Sequence, residues 1–198
     1  MNIIYLHGLS SSGQTNTAKE LRKIFKDDTV ISPDIPVSPK EALSYLRQLV
    51  AQYNPEETVI IGTSMGAFFA QMLNPYIRIL VNPAFHVTLD ILDKNLGNKL
   101  PFFTERLDGA TEFEVTEELI KDFKDLETWQ FCRTIYLDKV MAFFGDEDDI
   151  CNWKDEYLRH YTNYEMFHGG HRMNHHFLKN HLVPYLKDTF KNQLNTKF

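Results

Sequence analysis

The stretch that decides the fold covers residues 58–66 and reads Thr58-Val59-Ile60-Ile61-Gly62-Thr63-Ser64-Met65-Gly66. Its apolar first half is typical of a buried strand, and residues 65–73 are small and apolar enough for a buried helix. A Gly-x-Ser-x-Gly sequence between strand and helix predicts a nucleophile elbow, in which a serine sits on a strained turn. Ser64 is therefore a candidate nucleophile, and the alternative is an ordinary glycine-flanked turn.

Strand-like and helix-like stretches alternate along most of the chain. We expect strands at residues 2–6, 29–32, 58–61, 76–81, 139–144 and 164–167, and helices at residues 16–25, 39–53, 65–73 and 174–190. Ser38 is the expected N-cap of the second helix, with Pro39 at its first position. This alternation predicts an α/β fold with a mostly parallel sheet, whose ligand crevice lies beyond the carboxyl ends of the strands.

Residues 86–137 interrupt the alternation between the fourth and fifth strands. They contain an acidic patch, an amphipathic segment at residues 117–131 and six phenylalanine and tryptophan residues, Phe102, Phe103, Phe113, Phe123, Trp129 and Phe131. A cap-like insertion over the carboxyl edge of the sheet is expected here. Its aromatic residues either form a small satellite core, which we favour, or line an acyl pocket. We expect residues 1–198 to form one domain that includes this insertion.

The bulk composition restricts the partners. The chain has 198 residues, a net charge of −6 and a pI near 5.7, which argues against nucleic-acid or anionic-membrane partners. No apolar run approaches the roughly 20 residues that span a bilayer. The amino terminus resembles a strand and not a signal peptide. Cys132 and Cys151 are expected to be free thiols in a reducing compartment, so we expect a cytoplasmic protein.

A serine nucleophile needs a base, and the base needs an orienting acid. His171 follows the last expected strand in the glycine-rich segment Gly169-Gly170-His171, and the order nucleophile, acid, histidine makes it the candidate base. The acid should follow the fifth strand, where Asp146, Glu147, Asp148 and Asp149 stand in a row. Asp148 is the preferred candidate and Asp146 the alternative.

The charge that develops on the substrate oxygen needs backbone N–H donors. The amide of Met65 follows the nucleophile and is one candidate. The segment His7-Gly8-Leu9 after the first strand offers the amide of Leu9 as the other. His7 is expected to support this segment and not to act as a second base.

Several motifs occur together: Tyr5-Leu6-His7-Gly8, Gly62-Thr63-Ser64-Met65-Gly66, Val81-Asn82-Pro83-Ala84, Gly145-Asp146-Glu147 and Gly169-Gly170-His171. Through them the chain resembles the small bacterial α/β-hydrolases of the YqiA-like esterase family, from the first strand to the last helix. The resemblance implies a three-layer α/β-hydrolase fold with a minimal sheet and esterase activity. It also implies a triad of Ser64, an acid and His171. The family's Gly-Asp-Glu motif favours Asp146 as the acid, whereas the expected strand length favours Asp148.

The leading hypothesis is a serine hydrolase of small carboxylic esters or thioesters that needs no cofactor and no metal. Its partner would be a small-molecule acyl substrate, and the sequence leaves the oligomeric state open. One alternative is a catalytically silent protein that keeps this fold for interaction. A second is a metal hydrolase that uses histidines among His168, His171, His175 and His176, although the glycines before His171 favour a loop over a helical ligand pair.

Overall fold

A computed structural model describes residues 1–132 and 134–195. These residues form eight strands and seven α-helices in the order β1 (Asn2–Leu6), α1 (Asn16–Ile24), β2 (Thr29–Ile31), α2 (Pro39–Val50), β3 (Thr58–Thr63), α3 (Met65–Ala70), β4 (Ile77–Val81), β5 (Lys99–Pro101), β6 (Glu112–Glu114), α4 (Glu117–Trp129), β7 (Val140–Gly145), α5 (Lys154–Leu158), β8 (Tyr164–Phe167), α6 (His175–Phe177) and α7 (Val183–Asn195). A π-helical turn, Leu178–Leu182, joins α6 to α7.

Six strands form a sheet in the order β2-β1-β3-β4-β7-β8, and every neighbouring pair in it is parallel. From β1 the chain moves outward to β2, and from β3 it moves the other way through β4, β7 and β8. The strand order therefore reverses between β1 and β3, which is where ligands bind in open α/β sheets. Ser64 and the His7–Gly8–Leu9 segment follow these two strands.

Alternating side chains on the strands contribute to two separate hydrophobic cores, one on each face of the sheet. In β1, Ile4 and Leu6 pack on one face with α2, α3 and the insertion, whereas Ile3 and Tyr5 pack on the other face with α1 and the carboxyl-terminal helices. Helices cover both faces, so the molecule has the expected three layers. The predicted N-cap of α2 is confirmed, because the Ser38 side chain accepts a hydrogen bond from the Glu41 N–H and Pro39 follows it.

The insertion has more regular structure than the sequence predicted. Its amphipathic segment forms α4, but a two-stranded antiparallel sheet of β5 and β6 precedes it. Each of these strands has only three residues, and Pro101 lies in one of them, so neither shows a strand-like pattern. Helix α5 was also not predicted, since its five residues are too short to show a helical period.

The insertion packs on the same core as the sheet. Phe113 and Phe123 are core residues, whereas Phe102 and Phe131 are partly buried and pack against that core. These four aromatic residues thus pack on the core of the sheet and not in a separate satellite core, whereas Phe103 and Trp129 are 72% and 67% exposed. Within the described residues, no helix combines the length and the apolar character required to cross a bilayer.

Candidate active site

Ser64 occupies a strained turn between β3 and α3. Its φ is +54°, a left-handed value that is uncommon for a residue with a side chain, and the residue is 5% exposed. Two glycines make the turn possible. A Cβ on Gly66 would lie 2.0 Å from the Leu6 carbonyl oxygen, and one on Gly62 would lie 2.3 Å from that of Gly66. The strand, the strained serine and the close helix are the geometry of a nucleophile elbow.

The segment after β1 lies directly beside Ser64. The Cα of Gly8 approaches the serine so closely that an added Cβ would be 3.3 Å from the Ser64 Cβ and 3.7 Å from its Oγ. Leu9, the next residue, packs partly buried against the core. Met65 begins α3 and is buried. The two segments that carry the candidate oxyanion amides therefore flank the serine.

His7 supports the segment after β1. Its Nε2 accepts a hydrogen bond from the Ile35 N–H at 3.0 Å, and its Nδ1 lies 2.8 Å from the Gly8 carbonyl oxygen. The ring is therefore neutral, with its proton on Nδ1. Burial, and to a smaller extent the nearby Arg106 guanidinium, lower the pKa of His7 to about 4, although the hydrogen bond with the Gly8 carbonyl oxygen acts in the opposite direction. The expected supporting role agrees with these contacts.

His171 and Asp148 form a hydrogen-bonded pair. The His171 Nδ1 lies 2.9 and 3.1 Å from the two carboxylate oxygens of Asp148, whose side chain is only 3% exposed. Burial pushes the pKa of Asp148 up, but hydrogen bonds from the His171 ring and from two backbone N–H groups outweigh it, so the pKa lies below its ordinary value. A charged carboxylate at this place fixes the ring orientation and leaves Nε2 available as a base.

Asp146 lies elsewhere. Its Oδ1 accepts a hydrogen bond from the Gly169 N–H at 3.0 Å, and the exposed His168 ring is 3.3 Å from its carboxylate. These bonds lower the pKa of Asp146. The structure thus brings Asp148 to His171 and uses Asp146 to hold the start of the histidine loop.

The histidines do not gather into one group. Within residues 1–132 and 134–195, the one set of three potential metal-ligating side chains is Asp146, Glu147 and His168, all exposed. His171 is engaged with Asp148, and His175 lies 3.5 Å from Glu20.

Sequence reasoning missed a second polar cluster next to the serine. The buried Cys151 thiol lies within hydrogen-bonding reach of the Ser64 hydroxyl and 3.4 Å from Asp90 Oδ2, which also accepts from Trp153 Nε1 at 2.8 Å. Burial raises the pKa of the Cys151 thiol well above its usual range, and it raises that of Asp90. A thiol in this state is a weak nucleophile. The position of Cys151 just after the acidic run was the available signal. Both cysteines are free, as expected.

A cavity of about 520 Å³ lies outside the Ser64 turn, and neither Ser64 nor residues 7–9 line it. The insertion and the loop after β2 form it, and its lining includes Asp34, Tyr45, Phe102, Arg106 and Phe113. Arg106 Nη1 donates to the carbonyl oxygen of Ile35, the same residue whose N–H donates to His7. The cavity wall and the His7–Gly8–Leu9 segment are thereby connected through the main chain.

The parallel sheet, its strand order and the elbow define the class of the protein: it has the α/β-hydrolase fold. Comparison with known proteins supports this fold. The chain matches the uncharacterised protein family UPF0227, the YqiA-like family, over residues 2–188 and belongs to that family. The resemblance inferred from the motifs is confirmed.

Solved structures share the fold at low sequence identity. Est1E from Butyrivibrio proteoclasticus aligns with a TM-score of 0.61 at 13% identity, over 98% of this chain and 88% of its own. The mouse alpha/beta hydrolase domain-containing protein 10 aligns with a TM-score of 0.61 at 14% identity, over 96% and 90% of the two chains. SOBER1 from Arabidopsis thaliana has a TM-score of 0.56 at 14% identity, over 98% and 99%. At such identities the similarity establishes the fold.

Proposed function

We propose that the protein is a serine hydrolase that cleaves small carboxylic esters or thioesters through an acyl-enzyme intermediate. The hydrogen bond between Asp148 and His171, on loops at the same sheet edge as the strained Ser64, is the observation that carries the proposal. Membership of the YqiA-like family supports it as well.

In the first half-reaction, the Ser64 Oγ attacks the acyl carbonyl carbon while His171 Nε2 takes the hydroxyl proton. The Asp148 carboxylate accepts the Nδ1–H bond and stabilises the imidazolium that forms. The backbone N–H groups of Leu9 and Met65 donate to the oxyanion. His171 then gives its proton to the leaving alcohol or thiol, and the acyl group remains on Ser64.

In the second half-reaction, water attacks the acyl carbon and His171 takes a proton from it. The carboxylic acid leaves, and the proton returns to the Ser64 Oγ. This sequence uses acid–base and nucleophilic chemistry from the chain's own side chains and needs no cofactor. The free thiols of Cys132 and Cys151 support a reducing, cytoplasmic setting, and the net charge of −6 supports a small-molecule partner over a polyanion.

A fluorophosphonate probe tests the proposal because it phosphonylates activated serines. We expect the wild type to be labelled and Ser64→Ala to be unlabelled, with hydrolysis of p-nitrophenyl acetate lost in parallel. Ser44→Ala is the matched control, since this serine lies exposed on α2, and it should label like the wild type. A wild type that stays unlabelled beside a reactive reference hydrolase would favour the catalytically silent alternative.

A further inference from the structure

Asn82 lies at the carboxyl end of β4, between the strands that carry the candidate nucleophile and acid. It is fully buried. Its backbone N–H donates to the Phe143 carbonyl oxygen of β7 at 2.9 Å. On the other side, the Ser64 N–H donates to the carbonyl of Val81, the residue just before it, at 3.1 Å. The Asn82 main chain is thus fixed within the sheet at the level of the site.

The side chain of Asn82 links the acid strand to the histidine loop. Its Oδ1 accepts a hydrogen bond from the Gly145 N–H at 2.7 Å, where β7 ends. Its Nδ2 donates to the carbonyl oxygens of Gly170 and His171, at 3.0 Å each. Because one partner is a donor and two are acceptors, only one orientation of the amide satisfies all three.

The residue type is restricted in two ways. The φ of Asn82 is +45°, which asparagine tolerates better than most residues with a side chain. The site also needs a side chain that accepts one hydrogen bond and donates two. Glycine meets the first requirement only, and an ionised aspartate loses both donors while it retains the acceptor.

These contacts bear on the geometry of His171. The ring is held at Nδ1 by Asp148, and the Asn82 amide holds the main chain of the same residue through its carbonyl oxygen. Asp148 and Asn82, which make these two contacts, both lie at the edge of the sheet where Ser64 is found. A displacement of about 1 Å in a catalytic group costs roughly 10²-fold in rate, so a second anchor matters for the position of Nε2.

We propose that Asn82 is a positioning residue that holds the His171 loop in register with Ser64 and Asp148. It acts through the two hydrogen bonds that its amide donates and does not touch the substrate. This inference rests on the proposed serine hydrolase function.

Two variants separate positioning from the turn geometry. Asn82→Asp keeps the size, the acceptor and the tolerance of positive φ but removes the donors. Asn82→Gly removes the side chain and relaxes the backbone. We expect kcat for p-nitrophenyl acetate to fall by about 10- to 100-fold in both, with KM changed by less than about threefold, and fluorophosphonate labelling to slow equally. Ile3→Val, a buried change at the far end of β1, controls for loss of stability and should keep the wild-type kcat.

A second readout does not depend on turnover. The nitrogen chemical shifts of the His171 ring report which nitrogen carries the proton. We expect one tautomer in the wild type, with the proton on Nδ1 toward Asp148, and a mixture of tautomers in both Asn82 variants. Ser64→Ala should keep the wild-type tautomer although it is inactive.

The outcomes distinguish the two proposals. If the wild type resists the probe but the Asn82 variants still alter the His171 tautomer, the hydrolase proposal fails and the positioning role stands. If both folded variants keep the wild-type tautomer, and kcat is unchanged wherever the wild type is active, the positioning role is wrong. If Asn82→Asp matches the wild type and Asn82→Gly does not, the residue fills the turn without positioning the loop, and the inference is overturned.

Discussion

The position of Asp148 follows from a single turn. The Asp148 N–H donates to the Gly145 carbonyl oxygen at 3.3 Å, which closes a four-residue turn after β7 and brings the third residue past the glycine back over the sheet edge. The Asp148 carboxylate then accepts from the Ile150 and Cys151 N–H groups at 2.9 and 3.1 Å. Asp146, directly after the glycine, points instead toward the start of the histidine loop. One turn thus gives two carboxylates that are two residues apart different environments.

Replacement of each carboxylate by its amide measures this difference. Asp148→Asn should lower kcat for p-nitrophenyl acetate by about 10³- to 10⁴-fold, because an amide cannot stabilise the imidazolium and favours the wrong tautomer. Asp146→Asn is the matched control, since the amide oxygen can still accept from the Gly169 N–H, and it should stay within about threefold of the wild type. A larger loss in Asp146→Asn than in Asp148→Asn would assign the acid to Asp146.

His7 makes stability depend on pH in a definite direction. Its folded-state pKa of about 4 lies below the unfolded value near 6.5, so the unfolded chain binds the extra proton first as the pH falls. The stabilisation from a neutral His7 is complete above about pH 6.5 and declines down to about pH 4. Between pH 7 and pH 5 this residue alone should cost about 2 kcal/mol of unfolding free energy.

Urea unfolding of the wild type and His7→Gln at both pH values tests this titration. The glutamine can accept from the Ile35 N–H but does not titrate, so the stability advantage of the wild type should shrink by about 2 kcal/mol on going from pH 7 to pH 5. Subtraction of the two proteins removes the contribution of the carboxylates that both share. An advantage that stays constant with pH would show that His7 is not buried in its neutral form.

At the scale of elements, the decisive contact is the approach of α3 to β1. Gly66 lies in the first turn of α3, and its Cα packs against the main chain of Leu6 and His7 at the end of β1. This contact keeps the elbow close to the His7–Gly8–Leu9 segment. Since the neighbouring atoms are backbone, they cannot move aside as a flexible side chain could.

A methyl group at Gly66 should therefore be very costly. Gly66→Ala places Cβ 2.0 Å from a carbonyl oxygen, and we expect a loss of more than about 4 kcal/mol in unfolding free energy, or no folded protein. Gly97→Ala is the matched control, because no atom lies within 4 Å of its added Cβ and only its φ of +80° is unfavourable. Denaturant unfolding should show a cost of about 1 kcal/mol there. Equal costs at the two positions would contradict the close approach.

The sequence predicted elements with a clear period or punctuation. The strands β1 and β8 have the predicted bounds, and α2 begins at Pro39 behind its Ser38 cap. The short strands of the insertion and helix α5 have too few residues to show a period. The predicted last helix contains a π-helical turn at Leu178–Leu182. The spacing of its buried residues Leu178 and Leu182 is also compatible with an ordinary α-helix, so the hydrophobic pattern does not reveal the turn.

The candidate site residues that follow from chain order could be predicted from the sequence. Those whose role depends on side-chain packing could not. Ser64 and His171 follow from strand ends and glycines. The choice between Asp148 and Asp146 depends on how one turn closes, and the contacts of Cys151 and Asn82 depend on packing between strands distant in the chain. A sequence shows that Asn82 ends a strand, but its three side-chain partners lie 63, 88 and 89 residues away.

For the whole molecule, the insertion and the sheet are joined by buried polar contacts as well as by a shared core. Arg78 of β4 is fully buried, and its guanidinium donates to the carbonyl oxygens of Ile135 and Tyr136, where the insertion ends. Elsewhere in the insertion, the Phe103 N–H donates to the Ser10 carbonyl oxygen, and the Leu107 N–H donates to the Asp34 carboxylate. The insertion is thereby attached to the loops after β1 and β2 and to the central sheet.

This arrangement predicts one cooperative unfolding transition. Phe123 of α4 is fully buried, with its ring centroid 6.1 and 6.4 Å from those of Phe68 and Phe69 on α3. Phe123→Ala should cost about 3–5 kcal/mol of global stability, because the cavity opens in a core that both parts share. Tryptophan fluorescence, which reports on Trp129 of the insertion and Trp153, should follow the same urea curve as far-UV circular dichroism.

Phe103→Ala is the control, since this exposed ring should change stability by less than about 0.5 kcal/mol. A separate early transition in Phe123→Ala that leaves most of the circular dichroism intact would mean that the insertion unfolds independently of the sheet.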